Sequence, residues 1–190
     1  MSNVTSSKTR VLVEGALMIA AATVLSYLKF FDLPYGGSIT LEMIPLVLMS
    51  LRNGNKWGIF TAAVHGLIQM ILGFSNVLYC ATLLAQFGCI MLDYVLAFAV
   101  LGFAKAFADV FKKNAVIGAT FGTVVVGLLR FVCSFLSGWI LWGSYAWEGW
   151  NPAAYSFVYN ISYMGPNILI MGVVICLLRR FAPKLFTAEA

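Results

Sequence analysis

Charged side chains are scarce in this chain, making up 10% of its 190 residues where soluble domains carry roughly a quarter. With 62% hydrophobic residues and a mean hydropathy of +0.93, it cannot cover itself with a polar surface, which excludes a soluble fold. There is a single histidine, His65, and one imidazole without neighbouring ligands makes no metal site. Cys80, Cys89, Cys133 and Cys176 lie in apolar surroundings without a CxxC pair, so they read as packing residues rather than zinc ligands or a disulfide framework. No GxxxxGK[ST] phosphate loop occurs. Neither a paired acid and base nor a metal cluster marks an enzyme, and the expectation is a non-enzyme without cofactor or metal.

What the chain has is long apolar runs. Candidate spans fall at 11–28, 39–51, 57–74, 78–104, 115–142 and 156–178, predicting an all-α membrane protein of six transmembrane helices that forms one domain over 1–190. The start, MSNVTSSKTR, leads into an apolar stretch without a small-residue cleavage pattern, so the first span is expected to be retained. A formal charge of +5 raises the question of nucleic acid, but the basic residues sit at alternate connections. Lys8 and Arg10 precede the first span, and Arg52 and Lys56 separate the second from the third. Lys105, Lys112 and Lys113 separate the fourth from the fifth, and Arg179, Arg180 and Lys184 follow the sixth. The positive-inside rule then puts both termini in the cytoplasm of a cell-membrane protein, and no nucleic-acid motif accompanies the charge.

Two of these spans are too long. At 1.5 Å per residue, 78–104 and 115–142 reach about 40 Å against a hydrocarbon core of about 30 Å. In the fourth, SNVLYCATLLAQ is expected to lie along the outer interface, with the crossing starting near Phe87; in the fifth, SGWILW is expected to extend outward. The second span is short and needs shielding by its neighbours. No internal repeat supports an inverted-repeat transporter.

Asp93 lies within LLAQFGCIMLDYVLAFAVLGF, where an ionisable group costs roughly 2.5 to 3.5 kcal/mol to insert and normally faces a cavity or a partner. The predicted topology brings it to the outer half beside Ser134 and beside Trp142, Tyr155 and Asn160 of the aromatic-rich stretch 139–163. A carboxylate among aromatic faces suits a flat cationic ligand. Bland readings compete at each position. Asp93 can pair with Arg130, Arg130 can serve structure or snorkel, the aromatic residues can form an interfacial belt, and Asn160 can join helices. His65 reads as a core or helix-contact residue. Ala16 and Ala20, one turn apart, offer a small surface for close helix approach, for internal packing or for docking.

Four ordered segments carry a resemblance: YGGSITLEMIP at 35–45, LDYVLAF at 92–98, LRFVCSFLSGWILWGSYAWEGW at 129–150 and YSFVYNISYMGP at 155–166. Together they resemble the thiamine-specific substrate-binding subunits, the ThiT or YuaJ-like S components of energy-coupling factor (ECF) transporters. The resemblance implies a six-helix bundle that captures thiamine or a related small cationic vitamin from outside and associates with a transmembrane coupling subunit and two ATPases. It implies that Asp93 accepts from the aminopyrimidine, that Tyr94 walls the thiazolium, that Trp142 stacks, and that Tyr155 and Asn160 make polar contacts. It further implies that Ala16 and Ala20 dock the coupling subunit. Ser134 stands where the family commonly has a histidine, the segment between Gly73 and Asp93 is longer than the familiar pattern, and Gly36 or Gly37 stands where some members place a tryptophan. These departures make an S component for another vitamin one alternative reading; a lone-acting carrier is a separate one.

Overall fold

A computed structural model describes residues 2–33 and 37–187, so Tyr35 and Gly36 of the first motif lie outside the described residues. Among the described residues the regular secondary structure is helical apart from a short antiparallel ladder, β1 (Phe31–Asp32) with β2 (Ser38–Ile39), which pairs Phe31 with Ile39. The helices are α1 (Ser2–Tyr27), α2 (Met43–Asn53), α3 (Asn55–Leu72), α4 (Phe74–Leu78), α5 (Leu83–Phe111), α6 (Ala115–Ile140) and α7 (Pro152–Phe181). Among the described residues, four segments are long and apolar enough to cross a membrane: Lys8–Tyr27 within α1, and all of α5, α6 and α7.

The expected second span corresponds to a shorter helix, α2, and the expected third to α3, of 18 residues, which is not among those four. The 11 residues of α2 extend about 16 Å, half of a bilayer core. It is stable there because its neighbours enclose it, burying Met43 and every residue from Pro45 to Leu51. Gly54, at φ 86° and ψ 169°, reverses the chain between α2 and α3 in a conformation that L side chains avoid. The expected fourth span is split. Helix α4 is followed by a bend at 79–82, and the Thr82 side chain then caps α5 by accepting from Ala85 N at 3.2 Å. The long helix therefore begins at Leu83, four residues before the expected start of the crossing near Phe87, and it runs on to Phe111, past the expected end of the span at 104. At the last helix, Asn151 caps and Pro152 occupies the first turn, so α7 starts earlier than the expected 156.

A seam of small residues sets the central packing. Gly58, Ala62 and Gly66, one turn apart on α3, are all buried. A Cβ on Gly66 would meet Tyr94 O at 2.5 Å, and one on Gly102 would meet Ile59 N at 2.1 Å. Helices α3 and α5 thus touch backbone to backbone. Ser50 closes the contact from α2, its hydroxyl donating to Gly102 O at 2.6 Å.

The basic connections gather at one end of the bundle. Arg52 pairs with Glu14 at 3.0 Å and donates to the carbonyls of Lys184 and Leu185, and Ala106 N donates to Asn55 Oδ1 at 3.0 Å. On α1, Gly15 and Ala22 face inward, whereas Ala16 and Ala20 are exposed beside Leu17 (63% exposed) and Val24 (63%). Internal packing therefore does not use the Ala16/Ala20 face.

Candidate ligand-binding site

At the other end of the bundle, a cavity of about 380 Å³ opens among the ends of α1 and α3, the β2 strand, the first half of α5, the last half of α6 and the start of α7. It is within the size range of small-molecule sites. All six ligand positions expected from the sequence, Asp93, Tyr94, Ser134, Trp142, Tyr155 and Asn160, line it.

Local helix geometry aims Asp93. From Ile90 to Val95 the helix widens to a π-turn, and Leu96 N reaches back to Met91 O. The extra residue shifts the register and brings Asp93 round to α6; such bulges recur at functional sites. Three donors converge on one carboxylate oxygen, Oδ2: Ser137 Oγ at 2.7 Å, Trp142 Nε1 at 3.3 Å and Cys89 Sγ at 3.3 Å. Among the described residues no donor reaches Oδ1. SGWILW is thus not surplus length: Ser137 is fully buried, and Gly138 and Trp142 line the cavity. Arg130 does not neutralise Asp93 by direct pairing; its Nη2 goes to Glu42 Oε1 at 3.2 Å, and its guanidinium lies 3.8 Å from the centre of the Phe98 ring.

The wall opposite is an aromatic ladder. Tyr155, Tyr159 and Tyr163 recur every fourth residue on α7, with ring centroids 5.8 and 5.9 Å apart, and Trp147 continues the row 5.1 Å from Tyr155. Helix α7 also holds the β2 loop over the cavity. Asn167 accepts from Thr40 N at 3.0 Å and donates to Ser38 O at 2.8 Å, while Gly37 N donates to Tyr159 Oη at 3.1 Å. Asn160 lines the cavity with its amide already engaged, donating to Ser156 O at 2.8 Å and accepting from Tyr163 Oη at 2.8 Å. Tyr94 Oη donates to Gly73 O at 3.2 Å, which leaves its ring as wall. Trp139, Trp147 and Trp150 stay about half exposed, as interfacial rings do, whereas Tyr155 is buried.

The polar floor was not visible from the sequence. Glu42, inside the YGGSITLEMIP motif, receives Arg130 from α6, Gln69 Nε2 at 3.4 Å from α3, and stands 3.7 Å from His65 Nε2. His65 is fully buried, in contact with Thr23 of α1 at 3.4 Å and with the edge of Phe98. Five helical elements meet in this cluster, and the only signal for it was an acid, a base and a histidine lying singly in apolar runs. Cys80 and Cys89 join one buried cluster beside Trp142 as free thiols, and among the described residues no group of three metal-ligating side chains forms.

Long apolar helices around an aromatic, carboxylate-bearing cavity define a multi-pass membrane protein built to hold a small molecule. Comparison with known proteins sharpens that class: the chain belongs to the family described as thiamine transporter protein (Thia_YuaJ), whose model matches residues 12–187. It is 36% identical over 189 residues to the thiamine transporter ThiT of Bacillus subtilis, covering 94% of each chain. It is 26% identical to the ThiT of Lacticaseibacillus paracasei, over 94% of this chain and 91% of that one. A solved structure of ThiT from Listeria monocytogenes superposes with a TM-score of 0.80 at 26% identity, covering 95% of this chain and 99% of the other.

Proposed function

We propose that this protein is the substrate-binding subunit of an energy-coupling factor vitamin transporter and that its cavity captures thiamine from the extracellular side. The observation that carries the reading is the arrangement at Asp93. One oxygen is fixed by Ser137, Trp142 and Cys89, while among the described residues no donor reaches Oδ1, which suits an edge-on hydrogen bond from an aminopyrimidine. The permanent thiazolium charge would lie against Tyr94, Trp142 and the Tyr155 row, where ring faces attract cations. Ser134 provides a hydroxyl at its place on the wall, and Asn160 would act mainly by holding Tyr163 and Ser156 in position.

In this reading the chain is a single domain over 1–190 that crosses the membrane six times, α2 and α3 completing the bundle, with both termini cytoplasmic. The support is the gathering of Arg52, Lys105 and the turn at 183–186 at the end opposite the cavity. Energy would come from partners, a transmembrane coupling subunit and two ATPases, because this chain has no phosphate loop of its own. The exposed Ala16/Ala20 face of α1 is the surface offered to the coupling subunit. Titrating the purified protein with thiamine while following tryptophan fluorescence tests the ligand, since Trp142 lines the cavity. Saturable quenching is expected with thiamine; its absence, with saturation by a different vitamin, would replace the substrate and keep the class.

A further inference from the structure

A second hollow, of about 410 Å³, lies at the end of the bundle away from the ligand cavity, between the ends of α2, α5 and α7, the start of α6 and the turn after α7. Its floor is apolar: Leu51, Ala119 and Phe186 are exposed by only 5%, 4% and 8%. Around that floor, among the described residues, stand Lys105, Lys112 and Arg179 with one acid, Asp109, so three cations against one carboxylate leave two positive charges.

The acid is already taken, because Lys105 pairs with Asp109 one turn along α5. Among the described residues Arg179 meets no carboxylate; it sends Nη1 to Pro183 O at 3.4 Å and lays its guanidinium 5.0 Å above the Phe186 ring. Lys112 makes no hydrogen bond or ion pair among the described residues. Beside the hollow, the same helices expose Val110 (68%), Ile117 (51%) and Phe181 (75%), a surface suited to hydrocarbon. A solvated basic patch would not need a buried apolar floor, and an apolar groove for a protein helix would not need unpaired cations. An amphiphile carrying phosphate uses both.

We infer that this cleft binds an anionic phospholipid, its phosphate between Lys112 and Arg179 and its first methylenes along Leu51, Ala119 and Phe186. Guanidinium and ammonium groups are the usual partners of phosphate, and basic hollows between membrane helices hold such headgroups. Bound there, the lipid joins the ends of four helices that otherwise meet across the hollow, and it stabilises the bundle.

The test uses the full chain in neutral detergent, with thermal unfolding and native mass spectrometry read against added phosphatidylglycerol, phosphatidylcholine or inorganic phosphate. Phosphatidylglycerol is expected to bind saturably and raise Tm, and phosphatidylcholine is not. Lys112→Gln, which breaks no side-chain hydrogen bond or ion pair among the described residues, should weaken phosphatidylglycerol binding about fivefold, the effect of one cation at a lipid surface. Lys29→Gln at the far end should leave it unchanged. Arg179→Gln should weaken it by a similar factor, with Arg179→Lys restoring most of the loss. Equal stabilisation by both lipids, full stabilisation by inorganic phosphate alone, or unchanged affinity in Lys112→Gln would each overturn the proposal. A thiamine titration on the same samples reports on the other cavity, so the two readings stand or fall separately.

Discussion

Ser137 Oγ stands 2.7 Å from Asp93 Oδ2 and ties the upper part of α6 to the π-turn of α5. That bond fixes a carboxylate which would otherwise rotate, and it uses a hydroxyl because a cation in its place would cancel the charge offered to the ligand. Cys89 and Trp142 complete the same cradle.

Asp93→Asn retains an oxygen for Ser137 and removes the charge. Thiamine affinity should fall roughly ten- to hundredfold, the weight of a hydrogen bond to a charged group, while Tm changes little. Fluorescence titration and a melting curve on the same preparation check this; unchanged affinity would remove Asp93 from the site.

Arg130 and Glu42 are both nearly buried, at 12% and 13% side-chain exposure. Arg130→Met alone leaves Glu42 buried without its cation and should destabilise by about 3–5 kcal/mol, whereas Arg130→Met combined with Glu42→Met should recover most of that loss. A double-mutant cycle of denaturation midpoints measures the coupling, and additive losses would show that the pair does not act as a unit.

Gly138 lies where α6 meets α7. A Cβ there would fall 2.3 Å from Ser156 Oγ and 3.1 Å from Asn160 Nδ2, so Gly138→Ala should push these side chains aside and weaken thiamine binding. Gly165→Ala, whose nearest contact would be 3.9 Å, serves as the control on the same helix pair and should bind normally.

Gly54 has open space around it, so only its backbone resists substitution. At φ 86° and ψ 169°, Gly54→Ala should cost about 1–3 kcal/mol and lower Tm without touching the cavity. Equal stability would mean that the α2–α3 turn relaxes freely.

Ala16→Trp adds a ring to an exposed helix face and should leave folding and thiamine binding intact. Assembly with the coupling subunit, followed by co-purification, should be lost. Normal assembly would place the docking surface elsewhere.

Membrane residence and the long helices near 11–28, 115–142 and 156–178 were legible in the linear chain, as was Asp93 as an ionisable group in an apolar run; the other positions that line the cavity were pointed to by the family resemblance. Hydropathy needs only composition over a turn-by-turn window, and a carboxylate in an apolar run stands out wherever it points. The break at 79–82 and the π-turn at 90–95 were not legible, because they depend on Thr82 capping a helix and on one extra residue that leaves hydropathy unchanged. Nor could the sequence tell Arg130 which acid to choose, since Asp93 and Glu42 are both distant along the chain and only the approach of α2 to α6 brings Glu42 within 3.2 Å. The chain order supplied the chemical groups; the packing of the helices decided which of them meet, and that packing, as in the backbone contact of α3 with α5 at Gly58, Gly66 and Gly102, is a matter of shape rather than hydrophobicity.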